Sequence, residues 1–135
     1  MKQNWKFLCS ALLALLCISV SAQKFEPLNE IPVGKSVVYI YRPSNFVGAL
    51  THYQVHANKQ IVSQAFLRNN TYLIFITDPG RYTFWAAGGA MAIDLNVAES
   101  GKCYYVRGTC CEFSIPAQER AEEEIKNCKI STYKN

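Results

Sequence analysis

The chain has 135 residues, enough for one ordinary domain, and half of its residues are hydrophobic. Its 14 basic and 10 acidic side chains give a formal net charge of +4, which steers no partner strongly. Nucleic-acid-binding domains normally carry a basic patch or a much higher charge, so we expect no nucleic-acid partner.

Residues 1–22 have the composition of a secretory signal peptide. The segment starts with two lysines, Lys2 and Lys6, and continues with an apolar stretch that ends at Val20. Ser21 and Ala22 follow, the small residues of a cleavage site. The uncharged stretch is shorter than the roughly 18 residues that a membrane-spanning helix needs. We therefore expect an exported protein, periplasmic or secreted, with no transmembrane segment after cleavage.

Two of the six cysteines, Cys9 and Cys17, lie within this predicted signal peptide. Each follows a leucine, whereas lipoprotein processing requires a small residue before the modified cysteine. We therefore expect no lipid anchor. Cleavage after Ala22 would leave 113 of the 135 residues, with four cysteines and a net charge of +2.

An irregular lead-in, residues 23–34, comes before a series of short apolar runs. The run Ser36–Arg42 is rich in β-branched and aromatic residues and stops at Pro43, which predicts a strand. Residues 51–57 alternate between apolar and polar side chains, so one face of this strand is expected to be wet.

Two asparagine-containing pairs are predicted to turn the chain after that alternating strand. Asn58-Lys59 leads into the run 60–66, and Asn69-Asn70 leads into the strongly apolar run 71–77. Asparagine tolerates positive φ, which such tight turns require. The sequence therefore predicts two further strands in this part of the chain.

The segment Asp78-Pro79-Gly80 separates the apolar runs 71–77 and 82–87. Pro79 presets φ at one turn position, and Gly80 accepts the positive φ of the next position in a type II turn. We predict a hairpin with a loop of about four residues, in which Gly80→Val is strongly destabilising.

This hairpin register gives each strand two apolar faces. One face would carry Leu73, Phe75, Tyr82 and Phe84, and the other Tyr72, Ile74, Ile76 and Trp85. A strand pair of this kind is either covered on both sides or keeps one face for a partner.

The last part of the chain predicts three more strands and a helix. Residues 92–99 alternate, 102–107 pair with 110–115 across a two-residue turn at Gly108-Thr109, and Pro116 opens a helical period over 116–129. The helix carries an apolar stripe of Ala117, Ala121, Ile125 and Cys128.

About seven short strands in a chain of this size favour an antiparallel β-sandwich. The C-terminal amphipathic helix would then cover an open face or edge. We expect a single domain over 35–130 and a short tail over 131–135.

Three stretches carry a resemblance to a known family: "VVYIYRPSNFVGA", "NNTYLIFITDPGRYTFWA" and "GKCYYVRG". Together they resemble the bacterial family of domain of unknown function 2846, over roughly Gly34 to Lys129. The resemblance implies a small exported or lipid-anchored β-sandwich, similar in outline to transthyretin-like and carboxypeptidase-regulatory-like modules, with no activity assigned. This chain lacks the lipoprotein cleavage motif and in this differs from the lipid-anchored members of that family.

Disulfides are the preferred reading of the cysteines after residue 22, because an oxidising compartment favours them. The candidates are Cys103, Cys110, Cys111 and Cys128, whose order permits three full connectivities. One bridge to Cys128 with a buried free thiol elsewhere stays equally open.

The sequence shows no convergent catalytic or metal-binding set. If His52 and His56 lie on the wet face of one strand, they are separated by roughly 13 Å, too far to share a metal. Glu122, Glu123 and Glu124 fan out around the helix and read as a solvated face. We therefore expect no enzymatic activity, no metal and no cofactor.

Three residues are candidates for interaction: Arg42 at a strand end, Tyr72 and Trp85. Arg42 is either a partner contact or a structural strand exit, and Trp85 with neighbouring tyrosines is either a sugar-stacking platform or core. The favoured function is a non-catalytic module that binds another envelope protein through an apolar face or strand edge. The alternative is a small-ligand or glycan-binding module.

Overall fold

The computed structural model describes residues 24–87 and 91–134. The predicted signal peptide, including Cys9 and Cys17, lies outside these residues. The described part of the chain is mainly β, with eleven short strands and one short helix. None of the helical residues in that part forms a segment long and apolar enough to cross a membrane.

In chain order, the elements are β1 Ser36–Arg42, β2 His52–Tyr53, β3 Val55–Ala57, β4 Gln60–Ile61, β5 Leu67–Arg68, β6 Thr71–Thr77, β7 Gly80–Ala86, β8 Ala92–Val97, β9 Cys103–Gly108, β10 Phe113–Ser114, helix α1 Gln118–Ile125 and β11 Lys129–Ile130.

The strands form two main sheets that face each other. The larger sheet has the order β10-β9-β1-β6-β11, the smaller β4-β3-β7-β8, and β2 pairs with β5 in a short ribbon. Most pairings are antiparallel, but β1 runs parallel to β9 and β11 runs parallel to β6. The predicted β-sandwich with one short C-terminal helix is therefore confirmed.

β1 lies in the middle of the five-stranded sheet because its side chains are apolar in both directions. Val38 and Ile40 point toward the four-stranded sheet, whereas Tyr39 and Tyr41 point to the opposite face. All seven residues of the strand are buried. A strand buried on both faces reads as a continuous apolar run, as this one does.

The main core fills the space between the two sheets. Phe75 of β6 makes edge-to-face contacts with Tyr82 and Phe84 of β7, with ring centroids 5.6 and 5.9 Å apart. Leu73 belongs to the same cluster. These four side chains were predicted to share one face of a hairpin; they instead meet across the sandwich, from two different sheets.

A second core lies on the other face of the five-stranded sheet, under α1 and the lead-in. Ala121 and Ile125 of α1 are fully buried there. Phe25 of the lead-in packs edge-on against Tyr39 and Tyr72, with centroids 5.0 and 4.9 Å apart. The helix covers an open face as predicted, and the lead-in, predicted only as irregular, covers the rest.

The segment Asp78-Pro79-Gly80 corrects the predicted hairpin. β6 pairs with β1 and β11, and β7 pairs with β3 and β8, so these residues carry the chain from one sheet to the other. Gly80 lies in β7 and is not among the residues with positive φ, which rules out the type II turn. Packing β6 over β7 buries their apolar faces against each other, which side-by-side pairing would not do.

The two asparagine turns are confirmed, because Asn58 and Asn70 adopt positive φ of 52° and 61°.

The predicted turn at Gly108-Thr109 is wrong. Residues 109–112 form a longer loop, in which the Thr109 backbone N–H donates to the Glu112 carbonyl at 2.9 Å. The Thr109 hydroxyl also accepts the Cys111 backbone N–H at 3.2 Å, which stabilises this wider loop.

The C-terminal part of the chain differs from the prediction in two ways: the helix is shorter, and the last segment is bound to the sheets. Helix α1 spans Gln118–Ile125 rather than 116–129, because β11 begins at Lys129. The segment predicted as a tail is attached to the sheets: the Ser131 N–H donates to the Tyr72 carbonyl at 3.0 Å, and the Phe66 N–H to the Tyr133 carbonyl at 2.7 Å.

Candidate functional site

Residues 43–51, the loop between β1 and β2, form what we call the β1–β2 loop. Its tip carries three large apolar side chains that point into solvent: Phe46 is 97% exposed, Val47 68% and Leu50 94%. Elsewhere in the described chain, most apolar side chains are buried or partly buried. A grouping of exposed apolar residues on one loop is unusual for a monomeric surface and marks an interaction site.

Arg42, the last residue of β1, holds this loop from beneath. The residue is 2% exposed, and its guanidinium donates to the Thr51 carbonyl at 2.8 Å, to the Thr51 hydroxyl at 2.9 Å and to the Gly48 carbonyl at 2.5 Å. A buried cation is stable only when its donors are satisfied, as they are here. Of the two roles considered for Arg42, these contacts favour the structural one.

Gly48 fixes the loop against the neighbouring loop, residues 109–112. It adopts φ +71°, and a Cβ at this position would lie 2.4 Å from the Cys110 Cβ. Only glycine combines this conformation with such close approach. On the other side, the Asn45 N–H donates to the Asn69 carboxamide oxygen at 2.9 Å, so the loop is held at both flanks.

Tyr72, predicted as an interaction residue, is covered. Its side chain is 6% exposed because Phe25 packs over it, and burial raises the pKa of its phenol. The outer face of β6 thus packs into the second core at Tyr72 and Ile74, whereas Ile76 at its far end is 44% exposed. Of the two possibilities for this double-sided strand, cover on both faces is the one that fits most of its length, and the lead-in supplies part of that cover.

Trp85 lies on the outer face of the four-stranded sheet and is half-buried. Its ring stacks on His56 with centroids 4.1 Å apart, and its Nε1–H donates to the Asn58 carbonyl at 2.8 Å. His52 belongs to β2 in the short ribbon and instead packs against Tyr133, with ring centroids 4.9 Å apart. The two histidines therefore do not share the wet face of one strand.

The four candidate cysteines are free thiols, so the predicted disulfides are not present in the structure. Cys103 is at the start of β9, Cys110 and Cys111 lie in the loop at its other end, and Cys128 is buried after α1. Strand β9 separates Cys103 from the adjacent pair. Burial raises the pKa of the Cys128 thiol to about 12, so this thiol stays protonated at neutral pH.

Cys103 lies on the floor of a cleft of about 680 Å³ between the lead-in and α1, beside Tyr105. Burial and the carboxylate of Glu122 raise the pKa of this thiol, which disfavours a nucleophilic thiolate. The two lysines at the cleft, Lys102 and Lys126, each pair with a glutamate outside it. Among the described charged groups of the cleft, only the Glu122 carboxylate is outside these ion pairs, and it accepts from the Gln118 side chain at 2.9 Å.

Glu124 differs from its predicted place on a solvated helix face. Its carboxylate accepts from Arg107 at 3.2 Å and from the Tyr41 hydroxyl at 2.9 Å, and burial together with this contact raises the pKa of Tyr41. The network joins α1 to the five-stranded sheet. Within the described residues, no group of three His, Cys, Asp or Glu side chains converges as a metal site would require.

A shallow groove of about 550 Å³ lies between β5, β11 and the C-terminal segment. It is lined by Arg68, Lys129 and Lys134 together with neutral side chains, and we call it the basic groove. The Arg68 guanidinium lies 4.4 Å from the centre of the Tyr133 ring, which orients it by a cation–π contact.

Comparison with known proteins gives no relative: no family model, no curated protein and no solved structure matches this chain. Membership of the family of domain of unknown function 2846 stays a prediction from the three sequence stretches.

Sequence reasoning missed Phe46, Val47 and Leu50. The signal was present, because three apolar residues stand among Pro, Ser, Asn and Gly without the period of a strand or helix.

Proposed function

We propose that the protein is a non-catalytic, exported β-sandwich module that docks onto another component of the bacterial envelope through the β1–β2 loop. The location rests on the signal-peptide pattern of residues 1–22. The docking role rests on the exposure of Phe46, Val47 and Leu50.

A held loop is better suited to docking than a mobile one. Arg42, Gly48 and Asn45 fix the backbone in the free protein. Less conformational entropy is therefore lost when a partner covers the tip. The loop positions its apolar side chains before contact, as preformed docking elements do.

The tip also has enough apolar surface to matter energetically. Burying one large apolar side chain is worth about 1.5–3 kcal/mol, so covering Phe46 and Leu50 would contribute about 3–6 kcal/mol. A few well-buried side chains commonly dominate an interface. These two would form the centre of the contact, with Val47 at its border.

Site-specific photocrosslinking in cells tests the proposal. A photoreactive phenylalanine analogue is placed at Phe46 or Leu50, and at Val33 or Ile61 as matched controls, since these are also exposed apolar residues. We expect strong adducts, to protein or to lipid, from the two loop positions only. Equal adduct patterns from all four positions would contradict a specific docking loop.

The alternative function, glycan or small-ligand binding, is favoured by one observation. Trp85 lies on an outer sheet face beside a polar groove of about 410 Å³, where the Thr83 hydroxyl donates to the Asp94 carboxylate at 2.6 Å. An aromatic side chain flanked by polar groups can stack on a sugar. Past residue 22, Trp85 is the only tryptophan, so iodide quenching of its fluorescence reports its accessibility directly. Complete shielding of Trp85 in the monomer would contradict the alternative.

A further inference from the structure

The basic groove and the β1–β2 loop lie at the same end of the five-stranded sheet. Arg42, at the root of the loop, pairs with Thr71, and Thr71 pairs with Lys129. Adjacent strands are about 4.8 Å apart, which places the Lys129 backbone roughly 10 Å from the root of the loop. The hydrogen bond from Asn45 to Asn69 also joins the loop to the turn before β6.

The charge at this end is mainly of one sign. Among the described residues, Arg68, Lys129 and Lys134 take part in none of the ion pairs, which involve other basic side chains. Three carboxylates border the region: Glu26 lies near Ile130, Glu112 is in the loop that contacts Gly48, and Glu124 is already paired with Arg107 and Arg120. Three cations without carboxylate partners thus flank the apolar tip.

We infer that this end of the molecule docks onto the surface of an anionic lipid bilayer, an inference that rests on the proposed docking role of the β1–β2 loop. A bilayer offers two complementary layers at once: phosphate groups for the basic groove and acyl chains beneath them for Phe46 and Leu50. The nearly complete exposure of Phe46 and Leu50 lets both side chains enter a soft apolar layer. Contact through a few side chains is reversible, unlike a membrane anchor.

Vesicle sedimentation tests the charge requirement. The chain, purified after its export from the producing cell, is mixed with vesicles of equal parts phosphatidylglycerol and phosphatidylcholine, or of phosphatidylcholine alone. We expect binding to the anionic vesicles that weakens with added salt. Lys129→Gln with Lys134→Gln should weaken binding roughly tenfold or more, since each basic residue near an anionic surface contributes to binding.

The matched charge control is Lys35→Gln with Lys59→Gln. It removes the same charge, but Lys35 precedes β1 at the opposite end of that strand and Lys59 lies in the turn between β3 and β4. Lys35 pairs with Asp78 in an exposed ion pair, so its loss should change stability little. We expect vesicle binding by this variant to be nearly that of the unmodified protein. An equal loss in both charge variants would overturn the inference.

The apolar requirement is tested by Phe46→Ser with Leu50→Ser, against Val33→Ser with Ile61→Ser. We expect the loop pair to reduce vesicle binding at least tenfold and the control pair to leave it unchanged. In a separate Phe46→Trp variant, tryptophan emission should shift to shorter wavelength on anionic vesicles as the ring leaves water. No emission shift, or no binding to anionic vesicles at low salt, would overturn the inference.

The lipid inference can fail while the docking proposal stands. Discrete protein adducts from Phe46 in cells, with no vesicle binding, would replace the bilayer by a protein partner. Absence of both vesicle binding and loop-specific adducts would overturn the docking proposal as well.

Discussion

Gly48→Ala should be among the most destabilising single-methyl changes in this protein. Forcing a non-glycine residue into the left-handed region costs roughly 1 kcal/mol. The added Cβ would also lie 2.4 Å from the Cys110 Cβ, so the two loops must move apart. Overpacking of this kind typically costs about 1–3 kcal/mol. The expected total is about 2–4 kcal/mol, or a fall in Tm of roughly 8–16 °C at about 4 °C per kcal/mol.

Gly34→Ala is the matched control, because Gly34 has a similar φ of +79° and nothing within 4 Å of the added Cβ. Thermal and urea unfolding are followed by the fluorescence of Trp85. Gly34→Ala should cost only the conformational part, about 1 kcal/mol. The double variant Gly48→Ala with Cys110→Gly, compared with Cys110→Gly alone, should show a cost as small as that of Gly34→Ala. Equal effects of Gly48→Ala and Gly34→Ala would refute the close packing that holds the β1–β2 loop.

Three further outcomes follow from the structure. Gly80→Val should change the free energy of unfolding, measured in urea, by less than about 1 kcal/mol. Gly80 is a strand residue, and a Cβ added there would meet its nearest neighbour at an ordinary contact distance of 3.6 Å. A large loss of stability would restore the turn assignment. When the chain past residue 22 is denatured without reduction, a thiol assay should count four thiols, and a count of two or fewer would indicate disulfides. In the native protein, alkylation followed by mass spectrometry should label exposed Cys111 before buried Cys128. Burial raises the pKa values of Cys128 and Tyr105 to about 12, from 9.0 and 10.0. The folded state keeps these groups neutral, and this contribution to stability is fully present below about pH 9 and is lost as the pH rises toward 12. Tm should therefore fall over that range, and it should fall less steeply in Cys128→Ala.

The strands were predictable where the pattern of side chains is strong. β1 and β6 match their predicted bounds, because a run of β-branched and aromatic residues has few alternatives to a buried strand. The turns at Asn58 and Asn70 were predictable from the tolerance of asparagine for positive φ. Residues 51–66 instead break into short pieces, since their weaker alternation pairs with different partners along the way.

The pairing of the strands was not predictable in the same way. Alternation assigns Leu73 and Phe84 to one core, but it does not say whether their strands lie side by side or face to face. The choice depends on β1, which occupies the edge of β6 that a hairpin would use. Such competition between distant segments is not visible in a local pattern.

The candidate site was only partly accessible from the sequence. Arg42 at a strand end fits a partner contact and an internal clamp equally well, and only the path of residues 43–51 around its guanidinium decides between them. The exposure of Phe46 depends on that path too. Cys110 as the neighbour of Gly48 arises from a contact across 62 positions of the chain, which no spacing rule predicts.

Hydroxyl-radical footprinting in intact cells measures directly whether the tip of the β1–β2 loop is covered there. Oxidation of Phe46 and Leu50 is compared between the exported protein in cells and the purified protein, with Val33 and Ile61, 102% and 43% exposed, as internal controls. We predict protection of the two loop residues in cells and no protection of the controls. Equal oxidation of Phe46 and Leu50 in cells and in the purified protein would contradict the docking role of the loop.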